Sequence, residues 1–406
     1  MADETFIEVK RHGDTKKYEV EVEFISHQAD LALLKLKDES FFKNTRALKL
    51  DGLPKFEQDI AVYGFPVGGD SLSVSRGIVS RIEHNRYAHS RERFLSIQID
   101  AAVNPGSSGG PAISDGKIVG VVMQQMTQSQ NIGYIVPVEI VRHFLKDVQD
   151  KKYDGFPHLG ITTQKLENQA IRAIYKMDKD TTGTLVVDIS QKSSAYSQLK
   201  QGDILLSIDG HQIQNDSTIE FIDNKYTSYK YYIDKKQISE SIGFEVLRDA
   251  KVLHVEIKLN TIADDNLLVN TMAHDIMPKY FIYGGYVFTP LTRNLFVGNH
   301  STLLQLREAA NQWASDEKEQ SVILLKVLAS PSNRGDHNFS LWMLDKADNK
   351  EFKNFEEFVK IVKAFDGKYL VLENKDGVKI AIDKEEALNI EKTLLNRYSI
   401  KSSQRL

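Results

Sequence analysis

Residues Asn104-Pro105-Gly106-Ser107-Ser108-Gly109-Gly110-Pro111 decide how this chain is read. Glycines crowd a serine, which is what an activated nucleophile beside backbone donors requires. Gly106 can take dihedrals closed to residues with a Cβ, and Pro105 stiffens the turn before it. Such a turn makes N–H groups converge on one point. There they would hold the negative oxygen of a tetrahedral intermediate while Ser108 attacks a carbonyl. The amides of Gly106 and Ser108 are the expected donors, with that of Ser107 as a third. A Gly-rich hairpin turn without chemistry fits this stretch as well, so the flanking sequence has to decide.

Upstream, Leu95-Ser96-Ile97-Gln98-Ile99-Asp100-Ala101-Ala102 reads as a strand, and downstream so does Lys117-Ile118-Val119-Gly120-Val121-Val122-Met123. Ser108 is therefore expected on a loop between strands. Residues 106–110 also satisfy G-x-S-x-G, but that elbow leads straight into a helix, and its acid and histidine follow the serine. Here Gly109-Gly110-Pro111 and a strand follow instead. Asp30-Leu31-Ala32-Leu33-Leu34-Lys35-Leu36 sets an acid at the head of an apolar strand. An aspartate ahead of the serine is the order of a trypsin-like triad, in which it orients the histidine.

These two segments, with Gln98-Ile99-Asp100-Ala101-Ala102 and Asn131-Ile132-Gly133-Tyr134-Ile135-Val136-Pro137, resemble the HtrA/Deg family of serine proteases. Val9-Lys10-Arg11-His12-Gly13-Asp14 and residues 283–291 (Tyr-Gly-Gly-Tyr-Val-Phe-Thr-Pro-Leu) resemble its plant-type Deg branch. The similarity runs over nearly the whole chain and thins in the last third. Ser107 stands where the family usually has Asn. The resemblance implies a mainly β fold with some α: a trypsin-like double β-barrel at 1–150, its first barrel incomplete, then PDZ-like α/β domains at 157–262 and 263–406. It also implies ATP-independent endoproteolysis of misfolded or damaged proteins in quality control and stress response. Assembly into homo-oligomers, trimers or larger, is part of that expectation. Residues 124–137 would line the primary specificity pocket. Ile132, Gly133, Tyr134 and Ile135 are the residues in question, and Ile132 and Ile135 would receive an aliphatic side chain. A place in the barrel core accounts for both isoleucines equally well.

The family's catalytic histidine lies in a T-N-x-H-V type segment ahead of the strand that begins here near Thr5, so it is expected upstream of Met1. His12 reads as an exposed hairpin tip and His27 as a turn residue before Asp30; neither is expected to be the base. His84 and His89 read as polar residues of a loop, and His143 as a helix-surface residue. A first barrel lacking strands should expose an apolar face and an unpaired edge. A shortened chain, a misplaced start codon or a natural pseudoprotease would each account for that. Losing the base costs about a million-fold in turnover, so residues 1–406 are expected to cleave peptide bonds barely. The competing class is a non-catalytic chaperone or PDZ peptide-binding scaffold.

His158-Leu159-Gly160-Ile161-Thr162 resembles a PDZ carboxylate-binding loop and its following strand. Leu159, Gly160 and Ile161 would present N–H groups to a peptide C-terminus and a strand edge to its backbone. The segment Leu199-Lys200-Gln201-Gly202-Asp203-Ile204-Leu205-Leu206-Ser207-Ile208-Asp209-Gly210 is the strongest PDZ signature: turn, buried strand, tight turn. Residues 226–233 are expected to form the helix beside the groove. Further on, residues 321–328 read as a buried strand and residues 354–362 as an amphipathic helix. They fit a second, divergent PDZ domain with an assembly or regulatory role. Tyr283-Gly284-Gly285-Tyr286 is its nearest candidate for a carboxylate loop.

A chain of 406 residues suggests two or three domains at about 150 residues each. Its 41% hydrophobic and 27% charged residues are ordinary for a soluble protein. A net charge of −4 gives no global reason to expect nucleic acid. With 0 cysteines, disulfides and thiolate metal sites are excluded. No H-E-x-x-H or carboxylate cluster has ligand spacing, so neither a metal nor a cofactor is expected. No apolar run spans a bilayer. The polar start at Met1 is no signal peptide. A periplasmic or secreted location would follow if one precedes it, and a cytoplasmic or organellar one otherwise.

Overall fold

The computed structural model describes residues 6–11, 13–65, 71–125, 132–296 and 304–406. His12, Asn131 and most of the expected pocket loop at 124–130 lie outside the described residues. The chain forms two compact units: residues 1–189 with 194–262, and residues 190–193 with 263–406.

The first unit opens with an antiparallel meander of β1 (Ile7–Lys10), β2 (Lys17–Ser26) and β3 (Leu31–Leu36). Alternation along β2 buries Tyr18 and Val20 on one face. Six strands then close a barrel: β4 (Asp59–Gly64), β5 (Ser73–Arg86), β6 (Arg93–Ile99), β7 (Pro111–Ser114), β8 (Lys117–Gln125) and β9 (Gly133–Pro137). Their order around the barrel is β4-β5-β6-β9-β8-β7. Ile60, Val62, Val79, Ile97, Ile99 and Val119 fill it. Among the described residues closure leaves this sheet no edge, whereas the meander keeps two.

Helix α1 (Val138–Asp147) follows the barrel directly, turning Val138, Ile140, Val141 and Phe144 inward. A six-stranded antiparallel sheet comes next, five of its strands in the order β10 (Ile161–Lys165), β11 (Thr184–Ile189), β12 (Ile204–Ile208), β16 (Ser241–Arg248) and β17 (Lys251–Lys258). The short β13 (His211–Gln212) pairs with β12. As the Leu199–Gly210 signature requires, Gly202, Asp209 and Gly210 take positive φ around the buried β12. The expected helix at 226–233 is largely absent. Thr218–Ile222 (β14) and Lys225–Ser228 (β15) form a hairpin through Asn224 at φ 56°, and only Tyr231–Asp234 (α2) is helical. Tyr226 and Thr227 suit a strand, and their β-propensity prevails.

The barrel core and the core beneath this sheet form one apolar cluster. Two histidines join them, contrary to expectation. His84 lies in strand β5, not in a loop, and its side chain is only 6% exposed. Its Nε2 is 2.7 Å from Asp234 Oδ2. His143 is buried in α1, not on its surface; its Nε2 stands 2.8 Å from the Lys236 carbonyl oxygen and donates to it. The ring stacks on Phe156 with centroids 4.0 Å apart, and Nδ1 is buried without a partner among the described residues.

Burial pushes the His143 pKa below that of free imidazole, against the Lys236 carbonyl and the charges of Asp147, Asp234 and Glu240. The unfolded chain therefore takes the proton first as pH falls. His143 costs the fold nothing well above pH ~6.5, and the fold loses stability below it, until the folded histidine also protonates. The drop in melting temperature between pH 7 and 5 is expected to be smaller in His143→Gln than in the parent. Calorimetry of both at each pH checks this.

Asp203, 1% exposed, is gripped by Arg248 Nε and Nη2, each at 2.7 Å, and accepts from the Lys200 amide at 2.7 Å. Arg248→Met would strand a buried carboxylate. The expected loss is about 3–5 kcal/mol, read from the urea midpoint.

In the second unit, five strands run in the order Ser340–Leu344, Val322–Val327, Tyr286–Pro290, Tyr280–Tyr283, Gln404–Arg405. Helix Phe355–Ala364 is capped by Asn354, whose side chain accepts from the Glu357 amide. It sends Phe355, Phe358, Val359 and Val362 into a core with Phe288 and Leu324. Gly284 and Gly285 form the tight turn of the Tyr280–Tyr283 and Tyr286–Pro290 hairpin, at φ 57° and 91°. A Cβ on Gly285 would stand 2.5 Å from Asn333 Nδ2, and one on Gly284 3.1 Å from Ala387 Cβ. This turn is packed on both sides and is not an open carboxylate loop. Among the described residues no helix is long and apolar enough to cross a membrane.

Candidate active site

Ser108 lies on the loop between β6 and β7, with β8 and β9 closing the barrel behind it. The loop is built by close backbone contacts. The Ser107 amide donates to the Asn104 carbonyl at 2.9 Å, the Gly110 amide to Ser107 O at 3.0 Å and the Gly109 amide to Val122 O at 2.8 Å. Gly106 sits at φ 96° and Gly109 at 83°, where a side chain would be strained. A Cβ on Gly110 would stand 2.0 Å from Tyr63 O, and one on Gly64 2.8 Å from Ser107 Cα. β4 thus presses directly on the loop.

Of the three expected anion donors, Ser107 has its amide committed to Asn104 O, so it does not serve in this arrangement. Among the described residues the Gly106 and Ser108 amides have no backbone acceptor. Ser108 is exposed, and its Oγ donates to the Met123 carbonyl at 3.2 Å.

Asp30 heads β3 in the left-handed region at φ 56°. The residue as a whole is exposed. The surrounding fold still crowds the carboxyl, and burial raises its pKa, opposed by His89 and His27. Those imidazoles are hydrogen-bonded, His27 Nδ1 to His89 Nε2 at 3.1 Å. Sequence reasoning places them apart, one in a turn and one in a loop. The fold brings both to Asp30 because the β5–β6 turn folds back toward residues 26–30.

The four expected pocket residues split between two faces. Ile135 is fully buried in the barrel core beside Ile97, its register partner. Ile132 packs with the Tyr134, Val136 and Met123 cluster instead. An odd spacing on a strand sends the isoleucines to opposite sides, so they do not line one pocket together. A Cβ on Gly133 would stand 2.5 Å from Val103 Cγ2. In the sheet after the barrel, Leu159 and Ile161 are buried and Gly160 takes φ 64°. The Gly160 amide donates to His158 Nδ1 at 3.1 Å. Strand β10 pairs on one side only, with β11, so its other edge is open to a strand among the described residues.

Comparison with known proteins agrees with this architecture. Residues 2–121 match the trypsin-like peptidase domain, and residues 157–259 and 269–405 each match a PDZ domain. Protease Do-like 4, mitochondrial, of Arabidopsis thaliana is 35% identical over 363 residues, spanning 89% of this chain and 68% of the relative. Protease Do-like 2, chloroplastic, of the same plant is 34% identical over 411 residues, spanning 99% and 67%. Putative protease Do-like 3, mitochondrial, also from Arabidopsis thaliana, is 31% identical over 404 residues, spanning 99% and 71%. With a serine loop on a closed barrel, an aspartate-headed strand before it and two PDZ domains behind, this chain belongs to the HtrA/Deg family of serine proteases.

Proposed function

We propose that the chain is the body of an ATP-independent endopeptidase for misfolded or damaged polypeptides. Ser108 is the nucleophile, Asp30 the histidine-orienting acid, and the Gly106 and Ser108 amides the oxyanion donors. The observation that carries this is the Ser108 loop: two left-handed glycines hold it, β4 presses on it, and its Gly106 and Ser108 amides have no backbone acceptor among the described residues. A general base must reach the serine hydroxyl, and here Ser108 Oγ is bonded to Met123 O, with His27 and His89 gathered at Asp30. Residues 1–406 therefore turn over slowly. The open edge of β10 receives the extended C-terminus of a substrate, and the protein works as a homo-oligomer, a trimer or larger. Purified residues 1–406 and their Ser108→Ala variant should degrade casein at the same near-background rate. Fast cleavage abolished by Ser108→Ala would refute the slow-turnover part.

A non-catalytic chaperone or PDZ scaffold is the second reading, favoured by the Ser108–Met123 hydrogen bond. It predicts that no added histidine segment restores cleavage.

A further inference from the structure

We propose that Tyr153, ahead of the first PDZ domain, is a positioning residue for Asp30. This rests on Asp30 being the histidine-orienting acid. Asp30 sits at φ 56° on a turn spanning residues 27–30, a left-handed conformation that Asp adopts more readily than most residues; where that turn sits is set by what it bonds to. Its surroundings include a relay of hydrogen bonds that leads out of the turn. The Ala29 amide donates to Ser26 Oγ at 3.1 Å, Ser26 Oγ is 2.6 Å from the Tyr153 hydroxyl, and that hydroxyl donates to Gln28 Oε1 at 3.1 Å. Ser26 and Ala29 are fully buried. One set of proton directions satisfies every member: Ser26 donates to Tyr153, and Tyr153 donates to Gln28. Burial raises the Tyr153 pKa, so the phenol keeps the proton this relay needs.

The far end of the relay is fixed by the segment entering the PDZ domain. The Asp154 and Gly155 amides donate to the Asp147 carboxylate at the end of α1. The Phe156 amide, 3.3 Å from Gln28 Oε1, donates to it. Gly155 takes φ 85°, where a side chain would be strained, and a Cβ there would stand 2.7 Å from Gln28 Oε1, so a larger residue would have to push the Gln28 amide out of the relay. Phe156 in turn stacks on His143. Residues 153–156 therefore hold the Asp30 turn from outside, and displacement of the PDZ domain would reach the triad acid through them. An acid misplaced by even a fraction of an ångström orients its histidine badly, which lowers the chemical step more than substrate binding.

The test uses the full chain with a histidine-bearing T-N-x-H-V segment ahead of β1. Tyr153→Phe is expected to lower kcat about ten- to a hundredfold at unchanged KM. Gln28→Met provides a second variant should the first fold poorly. In an Asp30→Asn background, Tyr153→Phe should add no further loss, because it acts through that carboxylate. Hydrogen exchange at the Ala29 amide should quicken in Tyr153→Phe of residues 1–406. If Asp30→Asn lowers kcat but Tyr153→Phe does not, or the two losses multiply, the positioning role is overturned. If Asp30→Asn is itself harmless, the assignment of Asp30 fails first, and the proposal with it.

Discussion

Placing a histidine-bearing T-N-x-H-V segment ahead of β1 is expected to raise casein turnover about a million-fold over residues 1–406 alone. The serine loop already has its shape. Gly106 and Gly109 hold left-handed backbone, and the Gly106 and Ser108 amides have no backbone acceptor among the described residues. Among the described residues the Ser108 hydroxyl is bonded to no base: it donates to the Met123 carbonyl, a weak acceptor that takes no proton. Binding and the anion donors alone would leave about a thousand-fold or more over water. The remaining factor belongs to proton transfer, and a histidine spanning Asp30 and Ser108 would supply it. Initial rates on labelled casein for the two proteins, with buffer alone as the zero, give the ratio. A gain under tenfold would favour the scaffold reading.

Gly110→Ala should have a larger effect on stability than Gly109→Ala, whose methyl would meet no atom within 4 Å. The new Cβ on Gly110 would lie 2.0 Å from Tyr63 O and 2.9 Å from Ser107 O. Both are backbone atoms, one on β4 and one in the serine loop, so neither can swing aside. β4 would have to part from the loop, at a cost of about 3 kcal/mol or more. Because Ser107 O also accepts from the Gly110 amide, the same shift would displace Ser108. The expected outcome is a lowered urea midpoint for the first unit together with lost turnover in the histidine-bearing protein. Gly116→Ala is the control: a methyl there would meet no atom within 4 Å, though at φ 72° the position carries its own backbone strain. Its loss should be smaller and confined to stability.

The parts of the fold written locally are legible in the sequence. The Leu199–Gly210 segment demands left-handed turns on either side of an apolar strand, and Gly202, Asp209 and Gly210 provide them. The serine loop and the Asn354-capped helix are legible for the same reason. Residues 226–233 mislead because the resemblance points to a groove helix there. Asp223-Asn224 between aromatic and β-branched residues is a hairpin signal that outweighs it. The histidines mislead for a different reason. His84 meets Asp234 across 150 residues, and His143 meets Lys236 across 93. No local pattern announces a partner that distant. The split of Ile132 from Ile135 is legible, since a spacing of three on a strand changes face, but the pocket expected by resemblance obscures it.

The most direct test of the account is the kcat of the histidine-bearing protein with Asp30 intact and as Asp30→Asn, measured at saturating peptide. An acid that orients the base of Ser108 predicts a fall of about ten-thousandfold with KM little changed. Equal kcat values for the two proteins would contradict it, and the aspartate at the head of β3 would then be a turn residue and nothing more.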